Sequence, residues 1–457
     1  MLKKIDRSII PQPKEEIKFN LPEIKTFLLS NGLKVLFVQR DFLPLIRINL
    51  IANCGSSFDP AEKKGLANLF AMMIDEGAGE YNSLELSEEF ELLGSSFSAT
   101  CNHDNVYLSI RALTENFERT LELFSLIILK PRFNINDFQR EKRKVEVKLL
   151  QQKDDPEEMA DLLFNKVIYF HDNSYSNPVL GDETCLANIN LEDIKNFYKD
   201  YFAPVNSQLI VTGNIQPEKL INLLESNLSS WNNINKASSA KFGKTVNTSK
   251  VYILNKENAV QTEVRIGHQS EKRQTPDYFA RTVMNMILGG QFTSRLNLNL
   301  REQKGFTYGV SSTFSYYKYS GDFCVSTSVS TENTFAAVNE ILNELKKIKD
   351  GVTIQELDFT LSSMIRRFPS QFESDNQMVS NLSLLAIHDL PLSYFNNYLQ
   401  NVRNVTIEEV NKSALLNIRL DELSIVLVGN RIKLLDSFSN FSKGTVQIIN
   451  ENGQIIE

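Results

Sequence analysis

Histidine and cysteine are scarce in this chain, four of each in 457 residues, and their placement excludes several kinds of chemistry. Cys54, Cys101, Cys185 and Cys324 stand far apart, with no CxxC or CxxH spacing among them. A thiolate zinc site or a redox pair is therefore not expected, a disulfide framework is not needed at this length, and all four read as buried free thiols. His103, His171, His268 and His388 are equally isolated, so no HxxxH or HxxEH places two imidazoles on one helix face. A GxSxG elbow, a Walker A loop and a GxGxxG turn after a strand are absent too, which removes the serine-hydrolase elbow and the common nucleotide cradles.

Long apolar runs and basic clusters are also missing. No uncharged stretch approaches the length of a membrane span. With 49 Lys and Arg against 56 Asp and Glu the net charge is −7, without a basic stripe, so neither nucleic acid nor an anionic membrane is an expected partner. Met1 to Pro13 is polar and mixed in charge, with no apolar core and no Arg-rich amphipathic stretch. The expected location is cytoplasmic, a periplasmic or organellar one applying if a signal was removed.

What is present is an ordinary globular composition, 42% apolar and 23% charged, long enough for about two to four domains. Lys34 to Gln39 and Leu45 to Ala52 run as strands, and Lys64 to Glu76 and Ser83 to Leu93 have helical spacing. A strand pair over Ser96 to Arg111 and helices over Asn116 to Leu129 and Asn136 to Lys153 follow. This order lacks strict βαβα alternation, so the expected class is α+β, with mainly antiparallel sheets packed by helices. The segments also repeat. Thr114-Glu115-Asn116 returns as Thr331-Glu332-Asn333, an offset of 331 − 114 = 217, and Leu209 to Asn214 returns as Ile425 to Asn430, an offset of 425 − 209 = 216. Two concordant offsets imply a duplicated domain. The expected division is residues 1–230, a polar linker over 231–249, and 250–457.

One segment carries candidate chemistry. Arg295, Arg301 and Tyr308 lie in a helix-like stretch that runs into Gly305 and a strand. Arg301 and Tyr308 can converge as a fixed charge and a hydroxyl donor that polarise a carbonyl or hold an oxyanion. The alternative is that Arg301 pairs with a carboxylate and Tyr308 packs in the sheet.

Several motifs together resemble the pitrilysin and mitochondrial-processing-peptidase family, the zinc peptidases with an inverted motif. They are Ser30-Asn-Gly-Leu-Lys-Val35, Gly55-Ser-Ser-Phe-Asp-Pro60 with Lys64-Gly-Leu-Ala67, and Phe197 to Pro204 leading into Ile210 to Asn214. In the second copy they are Leu288-Gly-Gly290, Ser294-Arg-Leu296, Leu300-Arg-Glu302, Gly305-Phe-Thr-Tyr308, Phe372-Glu-Ser374, Leu390-Pro391 and Val405 to Val410. The resemblance implies two homologous domains forming one clamshell half of a dimeric chamber. It also implies HxxEH directly after Gly-Leu-Ala and a third carboxylate ligand farther on. Here those positions read Asn68, Ala71 and Met72, with Lys148 at the third, so no metal is expected in this chain and zinc is expected in a partner subunit.

The resemblance further implies that Arg301 and Tyr308 act in trans on a peptide held near that partner's HxxEH site. Gly94 to Thr100, with Ser98, Ala99 and Thr100, corresponds to the edge strand that binds peptide by strand addition, its alternative being a plain structural strand. The reading implied is a non-catalytic subunit of a heterodimeric zinc metalloendopeptidase, inactive alone. The alternatives are a structural scaffold subunit and a peptide-binding pseudoenzyme.

Overall fold

In the computed structural model residues 17–170, 173–233, 236, 240–243, 249–439, 441 and 444–456 are described. Met1 to Pro13, His171 and much of the 231–249 segment lie outside them. The apolar strands predicted at Lys34 and Leu45 become the inner part of a six-stranded sheet. Its strands are β1 (Lys25–Leu28), β2 (Lys34–Gln39), β3 (Leu45–Ala52), β4 (Ser96–Cys101), β5 (Val106–Leu113) and β6 (Ser207–Gly213), in the order β1-β2-β6-β3-β5-β4. A second sheet has β7 (Lys250–Asn255), β8 (Gln261–Ser270), β9 (Val310–Tyr316), β10 (Gly321–Ser330), β11 (Ser424–Gly429) and β12 (Thr445–Ile449), in the order β12-β7-β11-β8-β10-β9. The fold is α+β, with both sheets mostly antiparallel; only β2 with β6, β7 with β11 and β7 with β12 run parallel.

Five strands correspond between the sheets, and the sixth does not. In the first sheet the outer strand beside β2 is the chain's early β1, antiparallel to it. In the second the equivalent place beside β7 is filled by the late β12, in parallel.

The central strands are apolar almost throughout because both sheet faces are covered. In β2, Val35 and Phe37 enter the main core of the first half while Leu36 and Val38 face the other way. That opposite face is closed by the helix Asp375–Ile387, from the second half, through Met378, Val379, Leu382 and Leu385. The second sheet has the mirror arrangement. Val251 and Ile253 of β7 face its own helices, and Tyr252 and Leu254 meet Met159, Leu163, Phe164 and Val167 of the helix Pro156–Tyr169, from the first half. Each half therefore lends one helix to the other's sheet. Asp155 starts the lent helix of the first half by accepting from the Glu157 and Glu158 amides at 2.8 and 3.2 Å, with Pro156 in the first turn.

Polar ties reinforce the exchange. Asp104 accepts from the Tyr175 hydroxyl at 2.6 Å and from the Lys318 amide at 2.8 Å. At the described ends of the 231–249 segment, Trp231 is buried in the first core and Phe242 stacks on Tyr319. Cys54 and Cys185 are buried free thiols as expected, but Cys101 and Cys324 are only half-buried, because each sits on a sheet position that its neighbours cover incompletely. No described helix is long and apolar enough to cross a membrane.

Candidate functional site

The helix Leu66–Met73 forms where the Gly-Leu-Ala motif predicts one, and its start is built by Asp59. The Asp59 carboxylate accepts from the Gly65 and Ala67 amides at 2.7 and 2.8 Å. Gly65 has φ +93°, and a Cβ there would lie 2.4 Å from the Leu180 carbonyl oxygen, so only glycine fits. Leu66, Ala67, Leu69, Phe70 and Met73 point into the core. Asn68 and Met72, four residues apart, share the other face and are half-buried, while Ala71 is buried.

Asn68 and Met72 are in contact with one another on this face. The Asn68 amide donates to the Met72 sulfur at 3.6 Å. Lys148 is exposed on the helix Ile135–Asp154, which packs against Leu66–Met73. A neutral amide, a thioether and an ammonium do not fit zinc, which takes imidazole, thiolate or carboxylate. Among the described residues no group of three or more His, Cys, Asp and Glu could hold a metal ion.

The nearby carboxylates are already engaged. Glu141 is buried with Arg140 at 3.1 Å and Lys144 at 2.7 Å, and Glu76 pairs with Arg140. Burial pushes Asp75 up to about 6, helped by the adjacent charges of Glu76 and Glu141. The three described histidines are held elsewhere. His103 meets the Asn177 carbonyl at 3.0 Å and His268 the Gln269 carbonyl at 2.9 Å, and burial lowers both, His268 to about 3. Burial also holds His388 down, to about 4.

Close to the Leu66–Met73 helix, β4 is the sheet's outer strand and pairs only with β5 among the described residues. Ser98 and Thr100 are exposed along it, and Ala99 packs half-buried against the core. Its second backbone edge is open, as an added strand requires.

The second half carries Arg301 on a surface turn and Tyr308 in the loop that leads from it to β9. Arg301 sits on a wide π-type turn, Asn297–Gln303, a geometry frequent at functional sites. Leu300 buries beneath it, and the Arg301 guanidinium lies over the Phe292 ring, 4.2 Å from its centre. The nearest carboxylate, on Glu302, is 3.7 Å away, too long for a hydrogen bond. Gly305, with φ +65°, turns the chain, and the backbone after it is clamped. Asn297 brackets Val310, donating to its carbonyl at 2.7 Å and accepting its amide at 3.2 Å, and Thr327 donates to the Gly309 carbonyl at 2.9 Å. Between these anchors Tyr308 is 93% exposed. It does not pack in the sheet, and Arg301 keeps only a loose ion pair with the adjacent Glu302, with no hydrogen bond to a carboxylate.

Arg295 differs. It grips Glu356 through two bonds, 2.6 and 2.8 Å, and donates to the Gly351 carbonyl at 3.0 Å, a structural tie. Phe292, 65% exposed yet stacked on Arg301, is a site residue that sequence reading passed over; its signal was an aromatic between Gly289-Gly290 and Ser294-Arg295. No hydrogen bond or ring contact among the described residues joins the Arg301–Tyr308 turn to β4 or to Asn68.

Comparison with known proteins gives concordant matches. The family described as Insulinase (Peptidase family M16) matches residues 35–183, and the Peptidase M16 inactive domain matches residues 188–364. An uncharacterized zinc protease of Rickettsia felis is 25% identical over 74% of this chain and 80% of its own length. The non-peptidase homolog YmxG of Helicobacter pylori is 23% identical over 87% of this chain and 92% of its own. A crystal structure of a peptidase M16 inactive domain from Pseudomonas fluorescens superposes with a TM-score of 0.83 at 25% identity, covering 89% of this chain and 98% of that one.

Proposed function

Because the chain belongs to the M16 insulinase family of peptidases and carries Asn68, Ala71, Met72 and Lys148 where zinc chemistry needs imidazoles and carboxylates, we propose that it is the non-catalytic subunit of a two-chain zinc endopeptidase. A homologous subunit bearing HxxEH supplies the metal and the general base. This chain supplies Arg301 and Tyr308. Attack on a peptide carbonyl places negative charge on its oxygen, and the guanidinium and the phenol donate into that charge as it develops. Preorganised donors of this kind are worth about 10²–10³ in kcat each. The substrate class is an unfolded peptide, and the open edge of β4 at Ser98, Ala99 and Thr100, whose small side chains leave room, offers a place for a stretch of it away from the scissile bond to add as a strand.

The observation that carries the reading is the state of the pair itself. Tyr308 stands out from the surface on a clamped backbone, and Arg301 is oriented by an aromatic face, with the Glu302 carboxylate 3.7 Å away and not hydrogen-bonded to it. Both are held ready for a group that this chain does not contain.

The test is cleavage of an unfolded peptide by the complex with an HxxEH-bearing homologue. Arg301→Ala and Tyr308→Phe are expected to lower kcat by about 10²–10³-fold with assembly unchanged. Full activity of both variants removes the role in trans. A stable complex in which even the unaltered chain supports no peptide turnover assigns it to scaffolding.

A further inference from the structure

A cavity of about 380 Å³ opens where the two halves meet, away from β4 and from the Arg301 turn. Its walls come from four places: the elbow between the helices Ile135–Asp154 and Pro156–Tyr169, the segment that leads into and begins the helix Glu183–Asn188, the turn that follows β12, and Lys64, just before the helix Leu66–Met73. Leu149, Met159 and Leu162 give it an apolar side. Its polar side holds three lysines, and their bonding is unequal.

Lys153 is paired with Glu183 at 2.8 Å, and Glu451, across the cavity, lies 3.8 Å from Lys256. Lys64 and Lys166 have no hydrogen-bond or ion-pair acceptor for their ammonium groups among the described residues. The remaining carboxylate, Asp182, caps the helix Glu183–Asn188, accepting from the Cys185 amide at 2.8 Å, and its charge also acts on Lys166. Lys166 is the more confined of the two. Its stem runs beneath Gly453, where an added Cβ would meet the lysine Cδ at 3.3 Å. Burial and the neighbouring charges of Lys64 and Lys153, only partly offset by Asp182, push its amine down to about 8.

A confined ammonium that the neighbouring Asp182 offsets only in part is unfavourable for folding, and a methionine of similar length in its place would be at least as stable. Lys166, with the unbonded Lys64 ammonium at the edge of the same cavity, makes sense when an anion completes the pair. We propose that this cavity binds a small phosphate monoester, with Lys64 and Lys166 on the phosphate and the carbon body against Leu149, Met159 and Leu162. A phosphate dianion would complete the two ammonium groups that lack a bonded acceptor, of which Asp182 offsets Lys166 only in part, and ammonium groups serve phosphate as point charges without a fork geometry. The volume falls in the range of small-molecule sites, which leaves room for more than inorganic phosphate. Because the walls belong to both halves, the ligand would also hold them together. This proposal is independent of the role given to Arg301 and Tyr308.

Calorimetric titration of the full chain with phenyl phosphate, inorganic phosphate and benzoate at constant ionic strength tests it. Phenyl phosphate is expected to bind one site per chain with Kd below about 1 mM, tighter than inorganic phosphate, with benzoate weakest. Lys166→Met and Lys64→Met should each weaken phenyl phosphate by about tenfold or more, since each removes a charge-assisted contact, while leaving the ligand-free melting temperature unchanged or raised. Lys166→Arg should retain binding. The proposal is overturned by the absence of saturable phenyl phosphate binding, by benzoate binding as tightly, or by unchanged affinity in both methionine variants.

Discussion

Replacing Arg295 by Met separates structure from chemistry within a single motif, because Arg295 and Arg301 lie six residues apart and do different things. Arg295 and Glu356 share two short bonds with their side chains only 18% and 30% exposed, and Glu356 also closes the capping box at Thr353. The Arg295 guanidinium, with the Thr353 amide and hydroxyl as lesser contributors, holds the Glu356 carboxyl at about 2, against an ordinary value of 4.5. A depression of this size corresponds to about 3 kcal/mol of folding free energy at neutral pH, trimmed by solvent screening to about 2.

The pH dependence has a definite sign. The folded carboxyl has the lower pKa, so the stabilisation is complete above about 4.5, falls to less than half by pH 3, and vanishes once pH drops below about 2. Arg295→Met keeps the apolar stem and removes the charge. Urea unfolding followed by circular dichroism should therefore show a loss approaching about 2 kcal/mol at pH 7, less the share held by Thr353, and clearly less at pH 3. Peptide cleavage per folded molecule in the two-chain complex should be unaffected, in contrast to Arg301→Ala. A destabilisation that is the same at both pH values, or none at all, refutes the account of this pair.

Arg295 also marks where sequence reading stops. It and Arg301 are the same residue type in one unbroken motif, and what distinguishes them is Glu356, brought from 61 residues away by the helix Ile354–Arg367. Local spacing carries no information about that meeting. The duplication was legible because equivalent strands keep equivalent patterns: offsets of 217 and 216 in the motifs persist as 375 − 156 = 219 between the two lent helices. Which sheet each helix covers was not legible. An amphipathic pattern says that an apolar face is buried and is silent on the partner, so the exchange between halves had no sequence signature beyond the all-apolar run of β2. The lysine cavity escaped for the same reason, since Lys64, Lys166 and the turn after β12 are separated by most of the chain. The missing zinc residues were legible at once, being a matter of residue type at positions fixed by one helix.

Two further perturbations reach parts of the molecule that those experiments leave untouched. Burial, with Arg273 nearby, holds His388 down to about 4, below its ordinary 6.5, so the folded state excludes a proton that the unfolded chain takes up. Stability is expected to fall as pH drops from 6.5 toward 4, and His388→Gln should flatten that dependence by up to about 1.4 kcal/mol per pH unit; parallel curves for the two proteins contradict this. The second perturbation is restoration of the ligands. Asn68 and Met72 share one half-exposed helix face, and Lys148 is exposed on the helix packed against it, so Asn68→His, Met72→His and Lys148→Glu would supply two imidazoles and a carboxylate while leaving buried Ala71 alone. Elemental analysis after dialysis should find about one zinc per chain in the triple variant and none in the parent, without hydrolysis, since the position of the general base still holds a methyl group. A triple variant that folds as the parent does and retains no zinc shows that these three positions do not converge on a metal site, and the inference that this chain has lost one fails with them.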